Sequence, residues 1–219
     1  SGKPMTPNPS RPQSAQRYNL GRVQRRRKLV IAAVTLVVLM MLPLMQSLAQ
    51  VEMFTHEVVE IGGIALILIA IFGRAWCTLY IGGRKASQLT DVGPYSISRN
   101  PLYMFSFIGA AGIGAQTGSF LIALLFGAGA LVIFLPVILK EEHALGELFG
   151  TPFEDYKARV PRFGPRLGAW KDADVLEVRP KLLVRTLRDG LVFLMVIPVF
   201  ELIDWLQVSG LIDPLVYLP

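Results

Sequence analysis

Two short runs hold the side chains of this sequence best suited to chemistry, Arg99-Asn100-Pro101-Leu102-Tyr103 and Glu141-Glu142. An arginine fork can hold a carboxylate through paired hydrogen bonds. A carboxylate can hold an ammonium or hydroxyl groups, and asparagine and tyrosine both donate and accept. A plainer reading also fits: an interfacial ion pair between Arg99 and one glutamate, beside a proline that starts a helix. The single cysteine, Cys77, excludes an intramolecular disulfide, a dithiol redox motif and a cysteine-based zinc or iron–sulfur site. It reads as a small buried residue. The two histidines, His56 and His143, lie far apart and have no metal-ligand spacing. His143, beside the glutamate pair, reads as an exposed helical residue.

The two runs are separated by a helical hairpin over 102–115 and 119–139. Its loop, Gln116-Thr117-Gly118, is long enough only for a turn, so the two helices are antiparallel neighbours. That topology brings Arg99, Asn100 and Tyr103 next to Glu141 and Glu142 at the depth of lipid head groups. Small residues crowd both helices, among them Gly109, Gly112, Gly127 and Gly129, and allow close backbone packing. The second helix is predicted to continue through Phe149 and stop at Gly150. Thr151-Pro152-Phe153-Glu154 then matches a capping box with proline at the first helical position. Phe153, Tyr156 and Val160 give the short helix that follows an apolar stripe, and Pro161 ends it.

Composition places these elements in a membrane. The 219 residues are 53% hydrophobic and 17% charged, against roughly 45–50% and about 25% in soluble domains, and mean hydropathy is +0.49. Most soluble classes are thereby excluded, a nucleic-acid-binding domain included, despite a pI near 9.7. Apolar runs over 29–48, 58–80, 102–115, 119–139 and, more weakly, 191–206 predict an all-α polytopic integral membrane protein with about five transmembrane helices. The last run carries Pro198, Glu201 and Asp204. Residues 1–28 lack any carboxylate and read as a disordered basic tail, with 1–4 ahead of Met5 resembling a cloning remnant. The expected organisation is this tail, a core over 29–190 with a cytosolic segment at 140–190, and an additional helix and short tail over 191–219.

With the N-terminus inside, every lysine and arginine except Arg74 falls in 1–28, 81–101 or 140–190. The outside segments hold only Glu52, Glu57 and Asp213. This obeys the positive-inside rule and accounts for most of the basic pI, with attraction to anionic lipids as a second role. Arg74 lies within the second run, where it either contacts a substrate head group or snorkels to the interface. Glu201 and Asp204 share a helix face; they pair with Arg74, line a polar cavity or sit near the outer interface, the last being favoured. Short loops and the lack of a large extra domain lean toward a bacterial inner-membrane protein.

Gly93-Pro94-Tyr95, Arg99-Asn100-Pro101-Leu102-Tyr103, Glu141-Glu142 and Phe149-Gly150…Tyr156…Val160-Pro161-Arg162-Phe163-Gly164-Pro165 occur in that order. Together they resemble the C-terminal half of the isoprenylcysteine carboxyl methyltransferase and phospholipid methyltransferase superfamily, over about residues 60–167. Asn100 stands where many members have histidine, which removes a proton-transfer role but keeps hydrogen bonding. The resemblance implies a cytosol-facing pocket for S-adenosylmethionine and a lipid-side tunnel for an apolar acceptor. It implies Tyr95, Arg99, Asn100, Pro101, Tyr103, Glu141, Glu142 and Tyr156 as the cofactor shell, with Arg99 and Glu142 serving catalysis; Arg74, outside these motifs, joins them as a catalytic candidate through its intramembrane charge. Arg99 suits the donor's carboxylate, and Glu141 or Glu142 its ammonium or ribose hydroxyls. Methyl transfer is an in-line displacement that depends on alignment. A carboxylate or phosphate acceptor needs no base, whereas an amine must first lose a proton and no base stands out. The partners implied are a lipophilic substrate and membrane lipids, without nucleic acid or metal.

Two rivals remain at this point. A nicotinamide-dependent membrane reductase of lipids or sterols also wants an arginine, for the cofactor phosphate. A non-catalytic scaffold or small transporter is the other, although a transporter should show facing broken helices at mid-membrane. Here the polar groups gather at the inner face.

Overall fold

The computed structural model describes residues 45–47, 53–82, 88–211 and 216–218. Their order is β1 (Met45–Ser47), α1 (Met53–Ile81), α2 (Pro94–Ile97), α3 (Pro101–Ala115), α4 (Phe120–Phe149), α5 (Thr151–Arg159), a 3-10 turn at Leu167–Ala169, α6 (Pro180–Leu194), α7 (Val196–Val208) and β2 (Val216–Leu218). Apart from β1 and β2, a three-residue parallel pair with Met45 opposite Val216, the described structure is helical. The tail at 1–28 and most of the run at 29–48 lie outside the described residues. The end of that run is extended rather than helical, at β1, two residues after Pro43, which has no backbone donor.

Among the described residues, two helices are long and apolar enough to cross a membrane, α1 from His56 and the whole of α4. Phe72 on α1 is 65% exposed, and Leu124 and Val132 on α4 are 59% and 69% exposed. The core helix of a soluble protein would bury such side chains, so these surfaces define a membrane-associated helical protein. At 15 residues, α3 is roughly 22 Å long, short of a ~30 Å hydrocarbon core.

The chain forms two compact units. One draws its described residues from Gly73–Met104 and Phe134–Thr186, the other from Leu29–Phe72, Phe105–Ile133 and Leu187–Pro219. In the second unit small residues do what their spacing predicts. A Cβ on Gly112 would lie 2.7 Å from the Gly63 carbonyl oxygen and 2.9 Å from Ile67, so only glycine allows these α1 and α3 backbones to meet. Gln116 Nε2 donates to the Glu60 carbonyl at 3.1 Å, tying the hairpin turn to α1. In the first unit the predicted stripe is buried: Phe153, Tyr156 and Val160 pack with Leu148 and Phe149, flanked by Leu89 and Leu145.

Two expectations are corrected. The fifth run is not one helix over 191–206: α6 begins at Pro180, and the helix is interrupted at Met195 before α7. Pro198 explains the break, because its ring displaces the carbonyl of residue 194, where α6 ends. The capping box is also absent. Helix α5 has Gly150 at its N-cap, with φ 64° and no side-chain cap, and Glu154 instead pairs with Lys157 at 3.0 Å. The remaining boundaries, α4 ending at Phe149 and α5 ending before Pro161, follow the sequence reading.

Candidate functional site

The site lies within the first unit and begins with the turn at Gly93-Pro94-Tyr95. Gly93 has φ 59° and ψ −136°, a region essentially restricted to glycine, and any Cβ there would land on the Tyr80 ring. Pro94 opens the one-turn helix α2 with its fixed φ. The chain then runs extended through Ser98 until Asn100 accepts the first amides of α3, from Tyr103 and Met104 at 3.1 Å each. Pro101 takes the first helical position, where its missing N–H costs nothing.

This backbone aims two side chains at Glu142, which is 7% exposed, and the segment after α5 supplies a third. Arg99 Nε donates to Oε1 at 3.2 Å, and Asn100 Nδ2 donates to the same oxygen at 2.8 Å. Arg162 Nε and Nη2 donate to Oε2 at 3.0 and 2.8 Å. The second Arg99 branch, Nη1, donates to the Lys157 carbonyl at 3.0 Å, and the Arg99 amide donates to the Pro161 carbonyl at 2.9 Å. Both oxygens of one carboxylate are thus occupied by two arginines and an amide. Such a buried cluster is high in stakes: intact it fixes geometry, and stripped of a partner it leaves a charge unsatisfied.

Beside this cluster lies a cavity of about 70 Å³, walled by Tyr95, Arg99, Asn100, Tyr103, Glu141, Glu142 and Tyr156, with Phe153, Leu102, Leu145 and Ile81 as its apolar part. Seven of the eight residues predicted for the cofactor shell are therefore brought together; Pro101 instead shapes the start of α3. Glu141 is buried at the wall, but the hydrogen bonds to Arg99 and Asn100 converge on Glu142. Tyr103 leans on Phe134, their ring centroids 5.8 Å apart. Tyr156 Oη donates to the Tyr95 carbonyl at 2.8 Å, joining α5 to α2. Burial pushes both phenols above the ordinary tyrosine range, so each is neutral at physiological pH. Tyr156→Phe keeps the packing and loses that single bond, and a loss of about 1 kcal/mol of stability is expected from denaturant titration.

Arg74 is half-buried on α1 and is not part of the cavity wall, although its charge acts on Tyr95. His143 is exposed and Cys77 is fully buried, each as read from sequence, and Glu201 is exposed. The Asp204 side chain lies outside the described ones. Arg162 is the member of this cluster that the sequence reading did not assign to the site. Its signal was its place directly after the helix-ending Pro161, where the chain must turn back; the Arg162 carbonyl accepts from Ser98 Oγ at 3.2 Å there.

A family model for phospholipid methyltransferase matches residues 58–152, the segment that carries Arg99, Asn100, Glu141 and Glu142. The chain belongs to the phospholipid methyltransferase family. It is 33% identical over 156 residues to the cobalt-zinc-cadmium resistance protein CzcN of Cupriavidus metallidurans, covering 71% of this chain and 72% of that one. It is 38% identical over 132 residues to the nickel-cobalt-cadmium resistance protein NccN of Alcaligenes xylosoxydans xylosoxydans, covering 60% of this chain and 62% of the relative's length, less than two thirds of it. No solved structure matches.

Proposed function

We propose that the protein transfers a methyl group from S-adenosylmethionine to a lipidic or amphipathic acceptor at the cytosolic face of a bacterial membrane, in a polytopic fold of about five spans over the domain organisation expected from sequence. The observation that carries this reading is the buried Arg99–Glu142 cluster beside a cavity, inside the segment that matches the family. The amino-acid end of the donor is a zwitterion and needs both signs of charge. Arg99 and Glu142 present both, and the aromatic residues Tyr95, Tyr103 and Tyr156 offer walls for the adenine. The donor set therefore fits the group. The cavity is smaller than the 300–1,000 Å³ typical of ligand sites, so the cluster must open.

Arg162 is the partner able to leave: its side chain is 36% exposed, against 10% for Arg99. Its withdrawal turns Glu142 Oε2 toward an incoming ammonium while Arg99 stays for the carboxylate. Asn100 keeps its bond to Oε1 and holds Glu142 in place. When bound, S-adenosylmethionine supplies an electrophilic methyl on its sulfonium. The protein's own contribution is alignment and exclusion of water, the terms that dominate an in-line displacement. Arg74, close to Tyr95 but off the cavity, serves an acceptor head group in this scheme.

The two relatives are named for metal resistance. For this chain we place any contribution to metal tolerance in lipid modification, on the family match. The test is transfer of labelled methyl from the donor into a lipid extract by purified protein. Label in the organic phase, abolished by Arg99→Gln, is the expected result. Label found only in water-soluble products would contradict the lipid acceptor.

A further inference from the structure

The first unit holds a second, larger concavity, about 390 Å³, lined by Asp91, Ser96, Arg159, Val160, Arg166 and Lys171 among others. It shares no lining residue with the cavity at Glu142. Three segments build it, and hydrogen bonds fix two of them, 91–97 and 166–171, to each other. The Gly93 amide donates to the Lys171 carbonyl at 2.7 Å and the Arg166 amide to the Ile97 carbonyl at 3.0 Å. The Lys171 amide donates to Ser96 Oγ at 3.1 Å. Helix α5 supplies the remaining wall through Arg159. The cleft is therefore preformed, and its volume lies within the usual range for ligand sites.

Its charge is unbalanced. Asp91, with a side chain 18% exposed, is shared by Arg159 at 3.6 Å and Lys171 at 3.7 Å, and Arg166 Nη1 donates to the Arg159 carbonyl at 3.3 Å. Three cations around one carboxylate leave a net charge for an anion, and contacts of that length to an exposed partner are weak enough to exchange. The segment carrying Lys171 also rests on a tryptophan pair: Trp170 stacks on Trp76 of α1 at 5.6 Å and 18°, and both rings are partly exposed, at 44% and 36%. Trp76 is five residues from the end of a membrane-length helix, and tryptophan at such a position marks the head-group level.

We propose that this cleft binds the phosphate of an anionic phospholipid head group, with Arg159, Arg166 and Lys171 as its ligands and Asp91 as the internal counter-ion that the phosphate displaces. Lipid is favoured over a soluble ester because the cleft combines its cations with an apolar Val160 edge and an interfacial tryptophan anchor. The proposal needs the membrane reading but not the methyl transfer, since none of the three cations touches the Glu142 cavity.

The test is calorimetric titration of a water-soluble, short-chain phosphatidylglycerol into the full chain in neutral detergent. Glycerol 3-phosphate and the matching phosphatidylcholine are run beside it, and thermal unfolding checks each variant. Saturable 1:1 binding is expected, weakened on the order of tenfold or more in Arg166→Gln/Lys171→Gln, as two lost charges near a phosphate predict. Lys181→Gln/Arg188→Gln, the same charge change on α6, should leave the affinity within about twofold. Asp91→Asn, which removes the competitor, should tighten binding, a gain that no folding defect can produce. Equal weakening by both double variants would overturn the proposal in favour of diffuse attraction. Glycerol 3-phosphate binding as tightly as the lipid would overturn the lipid source and assign the cleft to a soluble phosphate ester.

Discussion

Replacing Glu142 with alanine is expected to cost about 3–5 kcal/mol of stability, the usual penalty for leaving a buried charge without its partner. The cost falls unequally on the three donors that lose their acceptor. Arg162 can turn to water, since its side chain is already 36% exposed. Asn100 is neutral. Arg99 is 10% exposed and cannot shed its proton, so it carries most of the penalty. Thermal unfolding in detergent measures the loss, and an unchanged midpoint would mean that the cluster is not part of the stable fold. A double variant separates stability from function: Arg99→Met/Glu142→Leu removes both charges and should recover much of the lost stability. Binding of the methyl donor should not return with it, because no residue then distinguishes the donor's ammonium from its carboxylate.

Gly93→Ala is expected to cost about 2–6 kcal/mol, from two separable sources. The backbone at φ 59° and ψ −136° strains any residue with a Cβ, by roughly 1–3 kcal/mol. The new methyl also strikes the Tyr80 ring, and moving that ring disturbs its 3.0 Å hydrogen bond to Asp172. Overpacking of this kind typically costs about 1–3 kcal/mol. Adding Tyr80→Ala should relieve the steric part and leave the strain. Denaturant titration of the single and double variants reads both. A Gly93→Ala protein as stable as the parent would refute the turn geometry on which Tyr95 and Arg99 depend.

Much of this arrangement was readable from residue order because it follows from one short loop. Gln116-Thr117-Gly118 leaves no choice but an antiparallel hairpin, and that alone gathers the residues around Pro101 at the glutamates. Which glutamate receives them was not readable: both are buried, and the selection of Glu142 depends on the rotation of α4 about its axis. Arg162 was missed for a related reason. Its bonds to Glu142 depend on how the segment after Pro161 folds back over residues 97–99, a tertiary path that no local pattern encodes. The break at Met195 was present in the sequence as Pro198, but apolar content outweighed it in a run read for length. The capping box failed because Glu154 has a closer use for its carboxylate in Lys157, and Gly150 supplies the turn by its positive φ.

The central claim is that the Arg99–Glu142 cluster holds the charged end of a methyl donor, and calorimetric binding of S-adenosylhomocysteine to the purified protein tests it most directly. Saturable binding is predicted, lost by tenfold or more in Arg99→Gln and Glu142→Gln and kept within a few-fold in Arg162→Gln, whose side chain leaves as the ligand enters. NADPH should not compete. Binding that survives Arg99→Gln and Glu142→Gln intact, or that appears with NADPH and not with S-adenosylhomocysteine, would contradict the account.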